Sequence, residues 1–337
     1  MTDVILEGHA GRAIPARGWR RTWRAFAQNR MALAGLLVLG LVVASAILGP
    51  ILSPYDTVAQ NISQRLQPPS LAHPMGTDEL GRDALTRILA GGRISLAIGA
   101  LATIVALSIG ITVGAVAGYV GRWVDNLLMR VVDVALSLPD LFLLIFASAL
   151  LGPSFGTMVI IISLVRWMNV ARLVRASFLT LREREFIESS RAIGASPFRI
   201  VGVHLLPNSL SPVIVAGTLG VASAILAEST LSFLGLGLQP PAASWGSMLR
   251  NAQAQIFTSP WMAVFPGLMI FLTVIAINFV GDGLRDALDP GTAHGFKGPR
   301  ERVRAALLAE RPPIRRQPDS AAPVAVTPTA PRMRSRD

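Results

Sequence analysis

Residues 31–52 read Met31-Ala-Leu-Ala-Gly-Leu-Leu-Val-Leu-Gly-Leu-Val-Val-Ala-Ser-Ala-Ile-Leu-Gly-Pro-Ile-Leu52, without a charged side chain. A helix needs about 20 mostly apolar residues to cross a hydrocarbon core about 30 Å thick, and this stretch supplies them. Working outward, residues 94–121 and 209–227 are equally uncharged, 134–165 carries only Asp140, and 251–281 is the last such run. The stretch 134–165 is long enough for two passes and is broken by Gly152-Pro153-Ser154-Phe155-Gly156, so it predicts a helical hairpin. Pro260 and Pro266 set the start of the last helix near Trp261. The fold class that follows is an all-α membrane protein with six transmembrane helices.

Composition agrees. Charged residues make up 15% of the 337, against about 25% in soluble domains, and the mean hydropathy is +0.52. Too few charges remain to cover a water-facing surface. With no cysteine, disulfides, thiolate metal sites and thiol nucleophiles are excluded. Lys297 is the only lysine and follows His-Gly-Phe, so the chain holds no Walker A phosphate loop, and any ATP must be bound elsewhere. There is no His-Glu-x-x-His, and the Gly-x-Ser-x-Gly match at Gly152–Gly156 is the break between two apolar runs instead of a strand-to-helix turn, which leaves a hydrolase reading without a metal site or a nucleophile elbow.

Basic residues orient the bundle, because they collect on cytoplasmic segments. Residues 1–30 contain Arg12, Arg17, Arg20, Arg21, Arg24 and Arg30 and read as a basic cytoplasmic N-terminus; 31–52 is the first span and 53–93 an extracytoplasmic loop. Residues 94–289 form a five-helix core. Residues 290–337, rich in proline and arginine, read as a disordered cytoplasmic tail, and no cleavable signal peptide is expected. The net charge of +11 is explained by these arginines, so no nucleic-acid partner is inferred.

The internal cytoplasmic connection, 181–208, reads as two short helices. Gly194 suits the left-handed residue after a helix end, and Ser196-Pro197 is an N-cap followed by proline at the first helical position. The second helix is expected to end before Pro207, with Ser211-Pro212 starting the fifth span. On the first helix Phe186 and Ile193 share a face, with the small residues Ser189 and Ser190 between them, which allows a partner close approach or, equally, a loop resting on the membrane.

Within this connection, Glu188-Ser189-Ser190, Gly194 and then His204-Leu205-Leu206-Pro207 resemble the EAA loop of ABC importer permeases, which runs Glu-Ala-Ala, Gly, Ile-x-Leu-Pro. Serines replace both alanines and His204 replaces isoleucine. His73-Pro-Met-Gly76-Thr77-Asp78-Glu-Leu-Gly81-Arg82-Asp83 resembles the motif of the C-type subunit of dipeptide, oligopeptide and nickel permeases. So does Glu228-Ser-Thr-Leu-Ser-Phe-Leu-Gly-Leu-Gly-Leu-Gln-Pro-Pro241 with Ser244-Trp245-Gly246. The resemblance implies the type I ABC importer permease (MetI-like) fold. It also implies a second homologous permease, two ABC ATPase subunits that bind ATP and magnesium, an extracytoplasmic solute-binding protein, and no cofactor or catalytic residue in this chain. Glu188, Ser189, Ser190, Gly194, Leu206 and Pro207 would then carry the docking of an ATPase.

Intramembrane acids mark function by default. Asp133 and Asp140 lie seven apart, as on one helix face, and pairing with Arg130 or Arg166 is expected; Asp140 and Glu228 remain possible pathway or gate residues, with Glu228 holding a turn at Gly235 and Gly237. His73 is expected to order its loop, since His9, His73, His204 and His294 are scattered and form no ligand cluster. The resulting expectation is import of di- or oligopeptides by alternating access. The alternatives are a nickel or metal-chelate permease of the same family, or a proton-coupled secondary transporter using Asp133, Asp140 or Glu228.

Overall fold

The structure, a computed structural model, describes residues 18–288; the tail at 290–337 and most of the basic N-terminus lie outside the described residues. The described chain is built of helices: α1 (Gly18–Gln28), α2 (Arg30–Leu52), α3 (Ala84–Val120), α4 (Arg122–Leu136), α5 (Asp140–Leu151), α6 (Phe155–Arg182), α7 (Glu185–Ala192), the single turn α8 (Pro197–Arg199), α9 (Leu206–Phe233), α10 (Trp245–Ala252) and α11 (Trp261–Leu288), with a long loop between α2 and α3. A π-helical turn, Ile200–Leu205, joins α8 to α9, so that Pro197–Phe233 is one run. Five helical runs among the described residues are long and apolar enough to cross a membrane, and the bent pair α4–α5 makes a sixth. Arg24, Arg30, Arg122, Arg182, Arg184, Arg191, Arg199 and Arg285 fall at one end of these spans, here called the basic face.

Glycine decides how closely the spans pack. Gly110, Gly114 and Gly118 recur every fourth residue on α3 and meet α6: a methyl group on them would sit 2.5 Å from Val170 Cβ, 2.5 Å from the Ala171 carbonyl oxygen and 2.6 Å from Phe178 Cβ. Small residues in this spacing let two backbones approach and gain dispersion contact, which must replace the hydrophobic effect inside lipid. On another face of α3, Gly92 lies under the Trp245 ring and Gly99 against Ile225. α3 is therefore the central post, with α6 on one side and α9 and α10 on another.

α2 joins this core from outside. Asn29 caps it by accepting from the amides of Met31 and Ala32 (3.1 and 3.2 Å). Pro50 near its other end has no N–H for the Ala46 carbonyl. Arg93 of α3 supplies the missing donor, with Nε 2.8 Å from the Ala46 oxygen and Nη2 on the Ile47 oxygen.

Three expectations need correction. α3 begins at Ala84, within the stretch read as loop, because Arg87 and Arg93 find partners and no longer limit the helix. The third span is not straight. It bends by 86° at Ser137–Pro139, since proline and the residue before it leave the helical conformation. Asp133 and Asp140 thus lie on different helices, and Asp133 pairs with Arg172 rather than Arg130 or Arg166. Finally, no break separates the second short helix from the fifth span. Pro207 falls in the first turn of α9, where its missing N–H is harmless, Pro212 lies inside α9, and the Asn208 amide reaches the His204 carbonyl (2.6 Å).

Replacing Gly114 by leucine should lower stability by about 2 kcal/mol or more through overpacking against Ala171 and Val174, whereas Gly40→Ala, with open space around it, should be neutral. The melting temperature of the detergent-solubilised chain, followed by size exclusion, separates the two.

Candidate functional site

Three places in the fold hold the residues singled out in the sequence. The first is the motif before α3, on the face opposite the basic one. Gly76 (φ +75°) and Gly81 (φ +71°) are left-handed, and a methyl group on Gly81 would lie 1.7 Å from the Asn61 carbonyl oxygen, so glycine is required there. Between them Asp78 accepts from the amides of Leu80 and Arg82 (both 2.9 Å) and from Arg82 Nε (2.6 Å), and pairs with Arg87 Nε at 3.2 Å. Arg82 also reaches Glu79, which accepts from Asn251 ahead of the last span (3.2 and 3.1 Å).

Asp83 has two tasks. Its Oδ2 caps α3, accepting from the Thr86 amide at 2.8 Å and hydroxyl at 2.7 Å, while Oδ1 meets His73 Nδ1 at 2.9 Å. Thr77 donates to the Gln64 carbonyl and accepts from the Gln67 amide (2.8 Å). His73, Thr77, Asp78, Arg82, Asp83 and Arg87 are all buried. Gly76, Thr77, Asp78, Gly81, Arg82 and Asp83 thus act together as a knot that ties the loop after α2 to the top of α3. Arg87 belongs to it and was missed by the motif, which stops at Asp83. In the same loop exposed Asp56 accepts from the amides of Val58 and Ala59 (2.6 and 3.0 Å), which holds its carboxyl below the usual range.

The second place is Glu228, near the end of α9 and fully buried. It accepts from Ser232 one turn on (2.6 Å) and from Ser95 of α3 (3.0 Å). Ser232 in turn packs on Gly237 and Ser244, and Gly246 lies on the Ser229 backbone. The chain between α9 and α10 turns at Gly235 (φ +87°) and folds back, and Trp245 donates to the Ile88 carbonyl at 2.9 Å. Glu228 therefore fastens this returning hairpin to α3. Asp140, by contrast, is exposed at the start of α5, away from any direct ion pair among the described residues.

The third place is the connection on the basic face. Gly194 has φ +80° and ends α7, and Ser196 caps α8. Ile187 is buried with Val174, Phe178, Ile200 and Leu205, which seats α7 on α6 and on the run into α9. Large apolar side chains also face outward: Phe186, Ile193, Phe198 and Val203 are exposed, the last three by 85, 91 and 58%. Glu188, Ser189, Gly194 and Pro207 are also exposed, Ser190 turns its hydroxyl onto the Phe186 carbonyl (2.8 Å), and Leu206 is half-buried. Arg184, Arg191 and Arg199 are exposed on the same segment, as are Glu183, Glu185 and Glu188. An apolar patch set among charges of both signs suits docking by a protein with a matching groove.

Comparison with known proteins gives these three places a context. Residues 110–294 match the family described as binding-protein-dependent transport system inner membrane component, and residues 18–69 match the N-terminal TM domain of oligopeptide transport permease C. The dipeptide transport system permease protein DppC of Alkalihalophilus pseudofirmus is 44% identical over 272 residues, 81% of this chain and 90% of the relative. The glutathione transport system permease protein GsiD of Pectobacterium atrosepticum is 42% identical over 273 residues, 81 and 91% of the two chains. Among solved structures, an inward-facing MetNI methionine ABC transporter matches with a TM-score of 0.51 and 21% identity, covering 60% of this chain and 96% of the other, a likeness of fold.

Removing the carboxylate in Asp78→Ala leaves Arg82 and Arg87 buried without their shared partner. A loss of about 3–5 kcal/mol is expected. The yield of monodisperse protein after extraction should fall several-fold relative to the native chain.

Proposed function

Because the chain belongs to the family of binding-protein-dependent transport system inner membrane components, we propose that it is the C-type permease subunit of an ATP-driven importer, carrying di- or oligopeptides inward by alternating access. It is a multi-pass protein of the inner membrane and a transport subunit, not an enzyme. The dipeptide and glutathione names of its relatives support a peptide cargo over nickel and over proton-coupled transport.

The observation that carries the mechanism is the unbroken run Pro197–Phe233, which starts at the exposed apolar patch and ends at the hairpin fastened by Glu228. The basic face is the cytoplasmic one by its arginines, with both termini there. Two ATPase subunits bind ATP and magnesium, and one of them seats Phe186, Ile193 and Phe198 in a groove. When the ATPase pair closes, α7 moves with it; Ile187 transmits that motion to α6, and the helical run transmits it to α9. On the opposite face the knot around Asp78 and the hairpin before α10 present a fixed surface to an extracytoplasmic solute-binding protein, and a second, homologous permease completes the pathway.

The tagged chain, extracted in mild detergent, should bring down a second permease and ATPase subunits. Vesicles bearing the complex should take up dipeptide while ATP lasts, even with an uncoupler present; uptake that collapses with the proton gradient and ignores ATP would remove this reading. Gly194→Val should cut uptake at least tenfold with normal membrane insertion. A β-branched residue resists φ +80°, about 1–3 kcal/mol of backbone strain, and reorients α7 against α8. ATP hydrolysis that no longer responds to peptide-loaded binding protein would be its signature.

A further inference from the structure

Three acids of the bent third span face three arginines of α6 in sequence order. Asp125 pairs with Arg175 (Oδ2 to Nη2, 2.7 Å), Asp133 with Arg172, and Asp140 lies within electrostatic reach of Arg166, which itself donates to the Ser223 carbonyl of α9 at 3.1 Å. Counting 1.5 Å per residue from Phe155, Arg166 lies about 16 Å down α6, near the middle of the hydrocarbon layer, and Arg172 about 25 Å down. The rungs also differ in exposure. The lowest is largely enclosed, with Asp125 12% and Arg175 33% exposed, as a structural pair should be. Asp133 and Arg172 stand 48 and 49% open, and Asp140 and Asn169 are exposed beside them.

A charge facing acyl chains costs about 2.5–3.5 kcal/mol even on the insertion scale, so groups this open within the span face water, cargo or the second permease and not lipid. The upper two arginines are six residues apart, about 9 Å, and an extended peptide advances about 3.5 Å per residue. Two levels that each hold an acid and an arginine, spaced by the length of two or three residues, match the two charged ends of a short peptide. The bend at Pro139 puts Asp140 at the start of α5 and leaves Asp133 on α4.

We propose that Asp133 and Arg172, with Asp140 and Arg166 above them, line the aqueous pathway and receive the terminal ammonium and carboxylate of the peptide in transit. This assignment rests on the importer reading for its cargo but not for its exposure to water, and the experiment keeps the two apart.

The chain has no cysteine, so single cysteines report without background. In the assembled complex in vesicles, Asn169→Cys should react with a membrane-impermeant thiol reagent, and Ile160→Cys, exposed on an apolar side of the same helix, should not. A dipeptide at ten times its half-saturating concentration should slow the Asn169→Cys reaction about tenfold by occupancy. In a second arm, Asp133→Arg combined with Arg172→Asp should restore the folded complex lost in either single variant while uptake stays at least tenfold down, because the charges now stand reversed to the cargo. Full uptake by the reversed pair would make it a mere lock and overturn the proposal, as would an Asn169→Cys as inert as Ile160→Cys. A native complex that labels at Asn169→Cys but moves no dipeptide under ATP would instead overturn the importer reading.

Discussion

Inside a hydrocarbon layer each backbone amide must be bonded within the protein, and helices that meet that demand can only gain from one another by coming close. The glycine row of α3 is where this protein comes closest. At Gly110, Gly114 and Gly118 the helix lies directly on the backbone of α6, and at Gly92 and Gly99 on Trp245 and Ile225. Everything else is hung from that post: α2 reaches it through Arg93, the outer loop through Asp83, the returning hairpin through Ser95.

The buried carboxylates Asp78 and Glu228 are each held by a closed group of donors. Asp78 is shared by two arginines and two amides; Glu228 is shared by serines of its own helix and of α3. A buried carboxylate contributes little net stability over a well-packed apolar group, yet leaving out one partner is heavily destabilising. Such knots therefore select one arrangement of loops rather than hold the protein together by brute strength. They lie on the face away from the arginine-rich end.

Much of this was legible in the sequence because the signals are local. Uncharged windows located the spans, Gly194 announced a left-handed turn, and the scatter of the four histidines left His73 to order its own loop. The rest depended on contacts between distant residues. Arg87 and Arg93 stopped the uncharged run ten residues short of the real start of α3, since nothing near them in sequence shows that Asp78 and the Ala46 carbonyl will accept them. Pro207 read as the end of one helix and Pro212 as the start of the next, and a π-helical turn with the Asn208 side chain absorbed what a local rule treats as a break. Asp133 finds Arg172 only because Pro139 turns the chain by 86°, an event that a hydropathy window does not register. The candidate residues in the loops were accordingly easier to place than those within the bilayer.

The run from Pro197 to Phe233 is a lever. At 1.5 Å per residue its 37 residues reach about 55 Å, longer than the membrane is thick, and α3 holds it from Gly217 to Glu228. A bar clamped over one half swings the other half as a single piece. A tilt of 10° would carry the tip at Pro197, about 30 Å from Gly217, through about 5 Å, on the scale of a whole helical turn. The π-helical turn lies in that half, beside the tip. Stiffness of this kind has a price in tolerance: a misfit at Phe198 is passed along the run as far as the clamp.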